Sequence, residues 1–167
     1  MVWRRLFFLI SVSLLCTATA PAAEKEPFAE LEIGAASEWS LPGGGTSLGP
    51  SAAIEFSAIK DRLEIEMGVS PRFGNGQREW DTELTFKSPI LSTPATEVFF
   101  ALGPEWQHRS GRAETADVVA GVASLDFQFW QPDKKFGWFI EPSYSHALNS
   151  QHEQSLGVTM GLLIAIP

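Results

Sequence analysis

Leu63-Glu64-Ile65-Glu66-Met67-Gly68-Val69-Ser70 alternates apolar and polar residues without a break. Successive side chains of a strand point to opposite faces. One face of this stretch is therefore Leu63, Ile65, Met67 and Val69. The other is Glu64, Glu66, Gly68 and Ser70. Upstream, Ala29, Leu31, Ile33, Ala35 and Trp39 oppose Glu30, Glu32, Gly34, Ala36 and Glu38 in the same rhythm. Near the end, Leu156, Val158, Met160, Leu162 and Ile164 oppose Ser155, Gly157, Thr159 and Gly161. No stretch after residue 26 sustains the three-and-four spacing of an amphipathic helix.

This periodicity predicts eight strands, at 28–39, 51–59, 63–73, 80–88, 97–107, 116–130, 136–145 and 155–166. Turn signals separate them, the clearest being Leu41-Pro42-Gly43-Gly44-Gly45, Gly74-Asn75-Gly76 and Gln131-Pro132-Asp133. Lys60-Asp61-Arg62 has room only for a tight hairpin. Hairpins with no helical crossover make an antiparallel meander, and eight such strands remove their exposed edges by closing on themselves. The expected fold is all-β: an antiparallel up-and-down β-barrel of about eight strands.

Alternation does not say which face is inside. A soluble barrel puts its apolar face inward; a membrane barrel inverts that. The acidic face here is also the small-residue face, carrying Gly34, Gly68, Gly103, Gly137, Gly157 and Gly161. Glycine in a water-facing strand only weakens it, whereas a narrow lumen needs small residues. The apolar face is bulky on every strand, and an eight-stranded lumen has little room for such volume. Several segments approach the roughly 9–11 residues of a tilted membrane strand. With the N-terminus inside, the connections divide into outer loops 40–50, 74–79, 108–115 and 146–154 and inner turns 60–62, 89–96 and 131–135. Short inner turns and longer outer loops fit a membrane barrel. The expectation is an apolar face turned outward.

The odd-numbered segments share an ending: Ala35-Ala36-Ser37-Glu38-Trp39, Val69-Ser70-Pro71-Arg72-Phe73, Leu102-Gly103-Pro104-Glu105-Trp106 and Ile140-Glu141-Pro142-Ser143-Tyr144. Proline removes a ladder donor and belongs near a strand end or bulge. Trp39, Phe73, Trp80, Trp106 and Tyr144 would then form an aromatic girdle at one membrane interface. Phe28, Phe86, Phe127, Phe129, Phe136 and Trp138 would populate the opposite rim. The competing arrangement makes these aromatics the core of a soluble barrel.

Turning the apolar face out turns carboxylates in. Glu30, Glu32, Glu64, Glu66, Glu83 and Glu141 are the expected lumen carboxylates, with Glu55, Asp81, Glu105 and Asp126 beside them. Only Arg72 and Lys87 join them from the strands. Unpaired buried carboxylates are costly, so some would protonate or hold water or cations.

The first residues read as an export signal. Arg4 and Arg5 precede an apolar run from Leu6 to Cys16, and Ala20-Pro21-Ala22 supplies an A-x-A cleavage site. The expected division is a cleavable signal at 1–22 and a barrel domain at 23–167. Cleavage removes Cys16, the chain's 1 cysteine, and with it any disulfide, thiol nucleophile or cysteine-based zinc site. Losing Arg4 and Arg5 takes the formal charge from −8 to −10. So acidic a chain is not a nucleic-acid binder, which needs a basic surface. Its 6 Trp and 12 Phe also set it apart from disordered acidic proteins.

The signal, the eight-strand meander and the terminal segment Leu156-Gly157-Val158-Thr159-Met160-Gly161-Leu162-Leu163 resemble the small outer-membrane β-barrel proteins of Gram-negative bacteria. Lys135-Phe136-Gly137-Trp138-Phe139-Ile140-Glu141-Pro142 with His152-Glu153-Gln154-Ser155-Leu156-Gly157 also resembles proteobacterial exported proteins of this size. The resemblance implies residence in the cell outer membrane. It implies outer-membrane lipid, lipopolysaccharide and the barrel-assembly machinery as partners. Such barrels customarily end in Phe or Trp; here the last residues are Ile166-Pro167.

The 3 histidines are His108, His146 and His152. Some barrels of this size resemble lipid A deacylases, and Ser145-His146 lies near His152 and Glu153. A histidine base beside a serine and an acid is chemically sensible. Yet Ser145 and His146 are adjacent in a strand and point apart, and the His-x-Ser-Asn pattern of that family is missing. A metal site from His146, His152 and Glu153 fits by residue type but matches no familiar ligand spacing. Gly43 to Gly45 have no following helix and read as loop flexibility. No catalytic, cofactor-binding or metal residue is therefore assigned, and no cofactor is expected. The expected function is a structural or surface-interaction barrel, not an open pore. The alternatives are a soluble lipocalin-like barrel holding an apolar ligand against Phe100, Leu102, Phe127 and Trp138, and a lipid A-modifying hydrolase.

Overall fold

The computed structural model describes residues 27–41, 43–74, 76–110, 115–149 and 152–167. The expected signal at 1–22 lies outside them. Eight strands follow in order: β1 (Ala29–Ser40), β2 (Thr46–Ile59), β3 (Leu63–Gly74), β4 (Gln77–Ser92), β5 (Thr96–Ser110), β6 (Thr115–Trp130), β7 (Phe136–Ala147) and β8 (Gln154–Ile166). Each pairs antiparallel with the next, and β8 pairs back onto β1. The sheet is a closed up-and-down barrel, so no strand edge is left unpaired.

The strands outrun the expectation. β2 begins at Thr46 rather than 51, and Gly49 and Pro50 pair with Ala36 and Ala35. Glycine and proline are poor strand formers, but a closed ladder gives their backbones partners that intrinsic propensity does not foresee. β4 runs on to Ser92 through Pro89, with a register shift between Pro89 and Leu91. A bulge is where a strand tolerates proline. The expected inner turn 89–96 accordingly shrinks to 93–95, fastened by Thr93 N–H donating to the Thr96 carbonyl at 2.9 Å. The strands also reach into the expected outer loops 40–50, 74–79, 108–115 and 146–154: β2 begins at Thr46, β4 at Gln77 and β6 at Thr115, while β5 runs on to Ser110 and β7 to Ala147. The anticipated contrast between long outer loops and short inner turns is largely lost. Gly76, at φ +75°, sits in the 75–76 turn, where a tight hairpin needs a positive φ.

At the closing seam Gly34 pairs with Gly161. A Cβ on Gly34 would run into the Met160 carbonyl, and one on Gly161 into the Ile33 carbonyl. β1 and β8 approach this closely because neither residue carries a side chain.

Every strand exposes large apolar side chains on the outer wall: Ile33, Leu48, Met67, Phe86, Leu102, Leu125, Trp138 and Leu162. The buried polar residues include Glu32, Glu55, Glu66, Arg72, Lys87, Glu105, Asp126 and Gln128. The barrel is inside out relative to a soluble one, with its polar groups in the lumen. Where β1 starts, called the inner end here, Trp130, Phe139 and Leu163 pack into an apolar plug, with Ala165 against it.

Candidate functional site

The lumen is organised around two cations. Lys87, from β4, is 0% exposed. Its ammonium donates to Glu55 Oε2 at 2.6 Å, Asp126 Oδ2 at 3.0 Å and Glu32 Oε1 at 3.3 Å. It also pairs with Glu66. These acids come from β2, β6, β1 and β3, so one side chain links five strands across the barrel. Gln128 extends the layer, its Nε2 donating to Asp126 Oδ2 at 2.8 Å. Arg72, from β3, is the second hub. Its Nη2 lies 2.5 Å from Asp81 Oδ2, 2.7 Å from Glu38 Oε2, 3.4 Å from Glu79 Oε1 and 3.7 Å from Glu105 Oε1. Buried charges persist only when paired and hydrogen-bonded. Here each cation is shared by four carboxylates.

Nearer the outer end Arg109 pairs with Glu153 and with Glu79 and donates to Gln107 Oε1 at 2.7 Å. Above Arg72 the lumen opens into a vestibule of about 300 Å³, lined by Glu38, Arg72, Glu79, Gln107, Arg109, Glu153 and several serines. A chamber of about 30 Å³ lies below it, lined by Asp81, Glu83, Glu105, Ser70, Ser143 and Thr159 among others. The vestibule and the chamber share Glu38, Arg72, Ser145 and Ser155. At the Lys87 layer the space ends, since Lys87, Asp126 and Gln128 are all 0% exposed. The lumen is a cup, open at the outer end and closed in the middle.

Glu32, Glu66 and Glu141 are buried in this lumen, and Glu30, Glu64 and Glu83 are half-buried. Glu141 accepts from Ser124 Oγ at 2.5 Å. Glu30 and Glu64 each keep an Oε2 buried without a partner. Trp39, Phe73, Trp80, Trp106 and Tyr144 are all exposed on the outer wall. On the inner half of the wall Phe129 stacks on Trp138, their rings 4.0 Å apart at 15°.

Phe100, Leu102 and Trp138, which a lipocalin-like pocket would turn inward, are exposed on the outer wall. Ser145 faces the lumen and donates to Glu105 Oε2 at 2.7 Å. His146 instead stacks on His152, ring centroids 5.6 Å apart. The serine and the histidine therefore do not meet, and the hydrolase triad is not assembled among the described residues.

Sequence reasoning missed Arg109 and Glu79 as lumen groups, put Glu38 on the acidic face without counting it among the lumen carboxylates, and missed the plug. The signal for Arg109 was present: Glu105, Gln107 and Arg109 continue one face once β5 extends past 107. Trp130 and Phe139 also share parity with inward residues of their strands, but aromatic bulk on an otherwise small polar face masked them.

A closed eight-stranded antiparallel barrel with a polar lumen and an apolar wall is the architecture of the small outer-membrane barrels. Solved structures of that class superimpose on this one. Neisserial surface protein A matches with a TM-score of 0.64 at 7% identity, covering 83% of this chain and 96% of that one. Ail, the attachment invasion locus protein of Yersinia pestis, matches at 0.58 and 13% identity, covering 83% and 98%. The N-terminal β-barrel domain of Pseudomonas aeruginosa OprF matches at 0.56 and 13% identity, covering 81% and 97%. At these identities the likeness is one of fold. No protein-family model matches the sequence, and no curated protein does.

Proposed function

We propose that this chain is a non-enzymatic barrel of the cell outer membrane, with a structural or surface-interaction role and no open pore. The observation that carries this reading is the continuous exposed apolar wall, to which all eight strands contribute. Soluble monomers rarely expose apolar patches beyond a few hundred Å². In a bilayer the same wall meets hydrocarbon. The strands run from 12 to 16 residues, more than the roughly 9–11 needed to cross. Trp39, Phe73, Trp80, Trp106 and Tyr144 then form the outer interfacial girdle, where amphipathic rings are favoured. Glu30, Glu32, Glu64, Glu66, Glu83 and Glu141 belong to the polar filling of the lumen. The partners implied are outer-membrane lipid and lipopolysaccharide along the wall, and the barrel-assembly machinery during insertion.

Ail has also been solved with the heparin analogue sucrose octasulfate. The mouth of this barrel is less suited to a polyanion. Arg72 and Arg109 are already engaged by Glu38, Glu79 and Glu153.

Carbonate washing of cell envelopes tests the location. The protein is expected in the membrane pellet, and its migration in SDS gels is expected to shift on heating. Release into the supernatant would refute the reading. Non-enzymatic action is checked separately: His146→Ala is expected to leave the lipid A profile of an expressing strain unchanged.

A further inference from the structure

The Lys87 layer carries more negative charge than its cation balances. Four carboxylates share the ammonium, and Glu141 reaches the same region from β7. Carboxylate oxygens of Glu32, Glu66 and Glu141 lie within 4.8 Å of one another. A hard cation with metal–oxygen bonds of about 2.3–2.6 Å brings its ligands within roughly 5 Å of each other. All three residues are buried, so bulk solvent does not screen their mutual repulsion.

A second observation comes from β4. Thr85 is the ladder partner of Glu66 and shares the inward face of Asp81, Glu83 and Lys87. It is 1% exposed, yet its Oγ1 has no hydrogen-bond partner. A buried hydroxyl without a partner is uncommon, and a bound water or ion is one way such a group is satisfied. Glu83, the next inward residue, lines the small chamber beneath the vestibule. The polar space that opens from the outer end therefore reaches Glu83, two residues along β4 from Thr85.

We propose that Glu32, Glu66 and Glu141, with the Thr85 hydroxyl, form a binding site for one hard divalent cation of the Ca²⁺ or Mg²⁺ class, set in mid-barrel beside Lys87. All four donors are oxygens, the ligand type these ions take. The ion supplies the positive charge that Lys87 alone does not, and it ties β1, β3, β4 and β7 together. The site depends on the closed lumen and not on where the barrel resides, so its failure would leave the proposed function standing.

The test uses the full folded chain in detergent, stripped with a chelator and dialysed against Ca²⁺ or Mg²⁺, with bound metal counted by mass spectrometry. One ion per barrel is expected. Glu141→Gln spares the Lys87 pairs, and Thr85→Val keeps side-chain shape. Each is expected to weaken binding by at least about tenfold, since disturbing only the groups around a ligand already costs about 10–100-fold. Heat-dependent gel migration verifies that each variant is a closed barrel. If Glu141→Gln does not fold, Thr85→Val decides alone. A folded barrel that retains neither metal would overturn the proposal, as would undiminished affinity in the folded variants. Either result would leave protons or water as the lumen's compensation.

Discussion

The Lys87 ammonium lies 2.6 Å from Glu55 Oε2, although β4 and β2 are not neighbours in the wall. The contact crosses the lumen. Hydrogen bonding around the wall holds each strand to the next, and this ion pair joins two strands that are not paired in the wall. The interior is therefore a structural element in its own right, equal in standing to the ladder.

Removing that cation should be severe. Lys87→Met leaves Glu32, Glu55, Glu66 and Asp126 without their common partner. Breaking a buried ionic group by deleting one member costs about 3–5 kcal/mol. Urea unfolding of the refolded barrel in lipid vesicles should show a loss of that size. A loss below about 1 kcal/mol, the range of surface pairs, would mean that the cluster is not a closed, dry layer.

The outer wall makes an opposite demand. Leu102 points away from the lumen and is 56% exposed. Leu102→Arg should cost about 2–4 kcal/mol in a bilayer if the position lies near the midplane. In a soluble barrel the same change at an exposed site would move stability by only about 0.5 kcal/mol. Folding equilibria in vesicles separate the two cases.

Closure depends on the seam. Gly161→Val places atoms where the Ile33 carbonyl sits, so β8 cannot approach β1. The expected result is loss of the compact, heat-modifiable species. Gly121→Ala is the control, because a Cβ there meets nothing within 4 Å, and it should leave migration unchanged.

The sealed Lys87 layer predicts an electrically silent protein. Reconstituted into planar bilayers, the barrel should show no steady ion conductance, since no solvent reaches Lys87, Asp126 or Gln128. Stable conducting levels would require a second arrangement of these residues. Phe139→Ala should lower stability by about 3–5 kcal/mol through the cavity it leaves in the plug. Conductance should stay absent, because the ionic layer above remains.

Much of the wall was legible residue by residue. Ile65 and Glu66 face opposite ways because a strand's side-chain period is two, which is a local property. Strand ends were less legible. Thr46–Pro50 reads as loop, since glycine and proline oppose strand formation. It becomes strand only because β1 supplies ladder partners. The same underestimate hid Glu79 and Arg109, and with them part of the vestibule lining.

Alternation along each segment was enough to determine that this chain forms an antiparallel barrel wall with one apolar and one acidic face. It also showed that Arg72 and Lys87 stand among the acids. Which acids each cation holds was decided only in three dimensions. Glu32 and Lys87 are 55 residues apart, and they meet because the closed sheet wraps β1 and β4 around one narrow axis. Neighbours across a lumen depend on closure and on the stagger of strands around the barrel. Both are properties of the whole sheet, and no single segment encodes them.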